Sequence, residues 1–88
     1  MKAVFLSRFY KDLDNINDQS VKNKIIKIID NVENADFIMK ISGIKKLKGY
    51  SNAYRIRNGD YRIGIFVEND IVEFARVIHR KDIYKLFP

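Results

Sequence analysis

Two alternating stretches meet at Asn58-Gly59 in YRIRNGDYRIGIF, residues 54–66, and this junction constrains the fold more than any other feature of the chain. Asn-Gly between period-2 runs is the strongest short-range cue for a β-hairpin, because both residues tolerate the positive φ of a tight turn. A two-residue turn at Asn58-Gly59 predicts that Arg57 faces Asp60, Ile56 faces Tyr61, Arg55 faces Arg62 and Tyr54 faces Ile63. Directly paired residues share a face, and faces alternate along a strand. One face then holds Tyr54, Ile56, Tyr61, Ile63, Ile65 and Val67, which is a core face. The other gathers Arg55, Arg57, Asp60 and Arg62, with Arg55 and Arg62 opposed as like charges. A longer loop would shift the pairing and keep the cluster.

The flanking sequence predicts the rest of the sheet and its cover. Ala3–Leu6 is a short apolar run, read as a first strand. Ser7 is placed to cap a helix running to about Asn15, with Phe9, Tyr10 and Leu13 inward. Asp18 is placed to cap a second helix, in which Val21, Ile25, Ile28, Ile29 and Val32 fall on one face and Lys22, Lys24 and Lys27 toward the other. The Asn-Asp turn between them makes an antiparallel helical hairpin. Residues 35–51 show no clear period and read as a connector with room for a short strand. A break at Asn69-Asp70 precedes the β-branched run IVEFARVIH, and RKDIYKLFP can form a last helical turn. The order is strand, two helices, then three consecutive strands: an α+β fold with helices on one face of a twisted antiparallel sheet and a short helical tail. Arg76 fits poorly, since simple alternation turns it toward the core unless a bulge or slipped pairing intervenes.

The chain has 88 residues, the size of one domain, 1–88. With no cysteine it offers neither a disulfide nor a thiolate metal site, one histidine argues against a histidine-based site, and no cofactor or metal is expected. No apolar run is long enough to serve as a signal-peptide core or to span a bilayer, so a cytoplasmic protein without a membrane partner is expected. The formal charge of +6 suits a polyanionic partner, nucleic acid or an acidic protein, and equally suits a merely soluble basic surface.

A sheet has no structural use for the arginine cluster. Exposed arginines commonly just splay into solvent. A guanidinium, however, is always charged and binds phosphate in bidentate fashion, so the same cluster can form an anion site. Arg80 and Tyr84, four residues apart, would fall on one side of a helical tail. His79 precedes Arg80. A lone histidine more often packs than catalyses, though imidazole suits proton transfer near neutrality.

LKGYSNAYRIRNGDYRIGIF followed by VIHRKDIYKLF resembles the RelE/ParE superfamily of bacterial toxins, the toxin halves of type II toxin–antitoxin pairs. The resemblance is detailed over the second half of the chain. It rests on Leu47-Lys48-Gly49, Tyr54-Arg55-Ile56-Arg57, Gly59-Asp60-Tyr61-Arg62, and His79-Arg80 with Tyr84. It implies a RelE-like fold. RelE-type members cut mRNA in the ribosomal A site, whereas ParE-type members inhibit DNA gyrase and lack the cutting residues. The cutting set matches Arg55, Arg57, Arg62, Arg80 and Tyr84, with His79 matching a histidine present in many members. Some members carry lysines where this chain has Arg55 and Arg57. Arginine cannot give up its proton as a base must, so that departure bears on the base and not on the site.

The resemblance thus implies a metal-independent endoribonuclease, with Arg57, Arg62, Arg80, Tyr84 and His79 catalytic and Arg55, Lys45, Lys46 and Lys48 holding RNA. Ribosome, mRNA and a cognate antitoxin would be its partners, with DNA reached only through the antitoxin. The rival readings are a non-nuclease inhibitor of gyrase and an inactive antitoxin-binding module.

Overall fold

The computed structural model describes residues 1–88. In the central hairpin Asn58 pairs with Tyr61, so the two-residue turn is Gly59-Asp60 rather than Asn58-Gly59. Gly59 has φ +58° and Asp60 stays at negative φ, the pattern of a type II′ turn, which demands glycine first. Arg57 therefore faces Arg62, Ile56 faces Ile63, Arg55 faces Gly64 and Tyr54 faces Ile65. The displacement of partners is even, so every residue keeps the face the alternation assigns it. The like-charge pair is Arg57–Arg62, not Arg55–Arg62.

The elements are β1 (Lys2–Phe5), α1 (Ser7–Asp14), α2 (Gln19–Asn34), a 3-10 turn (Ile38–Lys40), β2 (Ile44–Lys46), β3 (Ala53–Asn58), β4 (Tyr61–Glu68), β5 (Ile71–His79) and α3 (Ile83–Leu86). They build one five-stranded sheet in the order β1-β5-β4-β3-β2. The β2–β5 neighbours are antiparallel, as expected, and β1 adds to β5 in parallel. A parallel neighbour needs a long crossover, which the two helices and the following strands supply. The connector does contain a strand, β2, at the sheet edge.

Asp18 caps α2: its Oδ1 accepts from the backbone N–H groups of Ser20 at 2.9 Å and Val21 at 3.4 Å, and from the Ser20 hydroxyl at 2.8 Å. These donors, the Ser20 hydroxyl foremost, hold its carboxyl below the usual value of 3.8. Ser7 does not cap α1. It is the first helical residue, and Leu6, which has no acceptor in its side chain, stands at the cap position. Tyr10 is mostly exposed, touching the core only where its ring meets Phe5 at 5.8 Å.

The core lies between the helices and one sheet face. Phe9, Ile25 and Val32 pack there with Ile56, Ile63, Ile65, Val72, Phe74 and Val77. Truncating one such side chain to alanine costs about 2–5 kcal/mol. The opposite face is partly covered by the C-terminal segment, where Ile83 and Phe87 join Ala53 and Ala75. Gly64 makes this possible: a Cβ there would lie 2.6 Å from the Phe87 ring.

A bulge resolves Arg76. Gly64 pairs with Arg76 and Ile65 with Phe74, so Ala75 is the extra residue. The bulge turns Arg76 away from the helix-side core, and its guanidinium meets Asp12 of α1. Nε donates to Oδ2 at 2.7 Å and Nη2 to Oδ1 at 3.1 Å. The Val77 N–H donates to the same carboxylate at 3.1 Å, and Arg76 Nη1 reaches the Leu86 carbonyl at 3.3 Å. This partly buried pair thereby joins α1, β5 and the tail.

Candidate functional site

Three adjacent strands set the cations on the face opposite the helices. Lys45 of β2 stands directly across from Arg55 of β3, and Arg57 of β3 across from Arg62 of β4. Gly43, at φ +78°, brings its carbonyl to the Arg57 N–H at 3.1 Å and extends the β2–β3 ladder toward the turn. A side chain there would press on the Arg57 backbone, since its Cβ would meet the Arg57 carbonyl at 3.2 Å. The result is a concavity lined by Lys45, Arg55, Arg57, Arg62, Tyr84 and Gly43, with no acidic side chain.

The arginines differ in what already holds them. Arg62 folds back on the turn, and its Nη1 donates to the carbonyls of Gly59 at 2.7 Å and Tyr61 at 2.9 Å. That fixes the fork and leaves Nε and Nη2 for an anion. Arg55 lies with its guanidinium carbon 4.6 Å from the centre of the Tyr84 ring, a cation–π contact. The chain's ion pairs, Lys40–Asp36, Arg76–Asp12 and Arg80–Asp60, involve none of Arg55, Arg57 and Arg62. Like charges gathered without counter-charge are unfavourable for the free protein and favourable for a polyanionic ligand.

Of the residues singled out from the sequence, Arg55, Arg57, Arg62, Tyr84 and Lys45 come together. Lys48 lines an adjoining concavity that shares Lys45, Arg55 and Tyr84. Lys46 pairs with Tyr54 on the other face and borders this second concavity from the strand edge. Arg80 stands just past β5 beside the hairpin turn, where its N–H donates to the Asp60 carbonyl at 2.7 Å and its Nε is 3.8 Å from the Asp60 carboxylate. It lines neither concavity. The helix begins only at Ile83, so Arg80 and Tyr84 do not share a helical face.

His79 is not in the cluster. It pairs with Tyr61, on the helix side of the sheet, and the two rings meet edge to face at 5.8 Å. Its Nδ1 accepts from the Lys81 N–H at 3.2 Å. Its place next to Arg80 in sequence does not carry into space, because His79 is the last residue of β5 and points to the helix side while Arg80 lies in the turn beyond the strand end. Sequence reading also missed Gly64 and Phe87, which seat the tail and hence Tyr84, and Tyr50, which stands on the second concavity.

A family model described as the ParE toxin of type II toxin–antitoxin systems, parDE, matches residues 4–84. The chain belongs to the RelE/ParE toxin superfamily. Within the superfamily it is 45% identical over 89 residues to Toxin RelE3 of Methanocaldococcus jannaschii, with both chains covered completely. It also resembles the toxin chain of the RelB-RelE antitoxin–toxin complex from Methanococcus jannaschii, with a TM-score of 0.82, 44% identity, and 97% and 99% of the two chains covered. Two more distant structures share the fold, each at 19% identity and a TM-score of 0.74. They are the archaeal RelE-RelB complex from Pyrococcus horikoshii, covering 90% of this chain and 93% of that one, and the YoeB dimer from Staphylococcus aureus, covering 91% and 97%. The expected RelE-like α+β architecture is thus the observed one.

Proposed function

We propose that this superfamily member is a ribosome-dependent endoribonuclease, held in check by a cognate antitoxin. The observation that carries the reading is the unpaired Arg57 facing the pre-oriented Arg62, with Tyr84 stacked on Arg55 beside them. In the reaction an RNA 2′-oxygen attacks the adjacent phosphorus and gives up its proton. The bond from phosphorus to the 5′-oxygen breaks, that oxygen takes a proton, and a 2′,3′-cyclic phosphate remains. Negative charge builds on the non-bridging oxygens, where Arg57 and Arg62 oppose it. One preorganised donor of this kind is worth about 3–4 kcal/mol. Arg80, beside the hairpin turn, would meet a neighbouring phosphate. Tyr84 either stacks on a base or carries the proton, and Arg55 holds its ring. His79, on the other face, has no part in this scheme.

A small open concavity grips single-stranded RNA weakly, so the ribosome would present the codon and complete the binding surface. The relatives crystallised with RelB support an antitoxin partner for this chain as well, and the cation-lined face suits an acidic segment of it.

The experiment is cleavage of a defined mRNA by the purified protein, with and without programmed 70S ribosomes, mapped by primer extension. Cuts confined to the A-site codon and dependent on ribosomes are expected. The family model's ParE description supports a second reading, inhibition of DNA gyrase. Loss of supercoiling activity in a parallel gyrase assay, with no mRNA cut, would put that reading ahead.

A further inference from the structure

The second concavity, about 740 Å3, leads from Arg55 and Tyr84 away from the Arg57–Arg62 pair, toward the β2–β3 loop and the tail. Its lining includes Lys45, Lys46, Lys48 and Arg55 and no acidic side chain. Leu47 and Phe87, which belong to the same apolar cluster on this side of the sheet, add apolar surface to it. Tyr50 also lines it, its side chain half exposed, while Tyr84 is 77% exposed. The loop that carries Tyr50 is built rather than loose. Leu47 N–H donates to the Ala53 carbonyl at 2.9 Å and Tyr50 N–H to the Leu47 carbonyl at 3.4 Å. Gly49 sits between them at φ +86°, the third position of a type II turn. Nothing lies within 4 Å of where its Cβ would be, so backbone conformation and not space calls for glycine.

A single exposed tyrosine needs no explanation. Two exposed tyrosines on one groove whose charged side chains are all cations match what grips single-stranded nucleic acid: cations along the phosphates and aromatic rings under the bases. We propose that Tyr50 is the stacking platform for a nucleotide next to the one cut, with Lys48 on its phosphate, so that the RNA runs from the Arg57–Arg62 pair past Tyr84 to Tyr50. The proposal rests on reading the arginine end as the scissile-phosphate site. It assigns a substrate-binding role to Tyr50, which the cutting set does not include.

The test uses the isotope-labelled full chain and a trinucleotide with 2′-O-methyl groups throughout, which cannot be cleaved and needs no ribosome. Tyr50 and Lys48 resonances are expected to shift together with those of Tyr84. Tyr50→Ala should weaken binding by about five- to a hundred-fold, and Tyr50→Phe should bind within about two-fold of wild type, because stacking uses the ring and not the hydroxyl. Unchanged affinity of Tyr50→Ala overturns the proposal, as does equal loss in Tyr50→Phe. So do equal shifts at Tyr50 with tripolyphosphate, which has no base, or stronger binding there by an acidic peptide that RNA fails to displace. Ribosome-dependent cleavage without any Tyr50 shift would remove this subsite and leave the nuclease reading intact. A Tyr50 shift in a protein that cuts nothing would keep the subsite and remove the nuclease.

Discussion

Arg57 and Arg62 stand directly opposite each other on neighbouring strands, yet they invite different consequences when removed. Arg57 makes no ion pair and opposes a like charge. Arg57→Ala is therefore expected to leave the melting temperature unchanged or raise it, while cutting the rate of mRNA cleavage by about a hundred- to a thousand-fold. Arg62→Ala should lose cleavage similarly and melt slightly lower, since it also forfeits two hydrogen bonds to the turn. His79→Ala should cleave near the wild-type rate, as its ring faces the helix side. Single-turnover cleavage beside thermal melts checks all three. A His79→Ala protein as inactive as Arg57→Ala would return the imidazole to the chemistry. At Asp18 the sign of the pH effect follows from its lowered carboxyl. The charged form stabilises the fold fully above about pH 4 and loses that effect as pH falls through the folded-state value. The destabilisation caused by Asp18→Ala, measured by thermal melts across pH 2–7, should shrink at the acid end.

At the level of elements, the hairpin was the legible part, because Asn-Gly punctuation and period-2 alternation act within a dozen residues. The turn was displaced by one residue and the faces survived, since side-chain direction depends only on parity. The β5 bulge was legible as a misfit at Arg76, whereas its resolution lay in Asp12, far away in the chain. Likewise nothing near Gly64 announces Phe87 or the seating of the tail. Two predictions belong here. Gly64→Ala should unseat Phe87 and with it Tyr84, lowering cleavage and raising hydrogen exchange in α3, with the helix-side core kept. Asp12→Ala should cost about 1–3 kcal/mol by taking the carboxylate from a partly buried guanidinium and from the Val77 N–H. The double change Asp12→Leu with Arg76→Met should cost less than Asp12→Ala, as denaturant titration would reveal. An equal or greater loss in the double variant would mean that the pair stabilises beyond mere compensation.

Across the molecule, the acidic side chains stay out of the two cation-lined concavities, whereas the helices carry both signs, Arg8, Lys11, Lys22, Lys24 and Lys27 beside Asp12, Asp14, Asp18, Asp30 and Glu33. RNA binding should accordingly weaken steeply with added salt, and the slope of log affinity against log salt should fall by roughly 0.7 for each phosphate-contacting cation removed. A slope unchanged in Lys48→Ala would detach that lysine from the backbone path.

The parallel seating of β1 against β5 sets a schedule for assembly. Lys2 aligns with Ile71 and Phe5 with Phe74, partners separated by most of the chain. Hairpins close within microseconds, but a pairing of such long range must wait for a large loop to be drawn in. While the polypeptide is still being synthesised, β1 has no neighbour to join, and β5 is not yet available to flank β4. The bulge that turns Arg76 toward Asp12, and through it steadies the tail carrying Tyr84, can form only once that strand is in place. A nascent chain of this design thus gathers its arginines early and gains its tyrosine late.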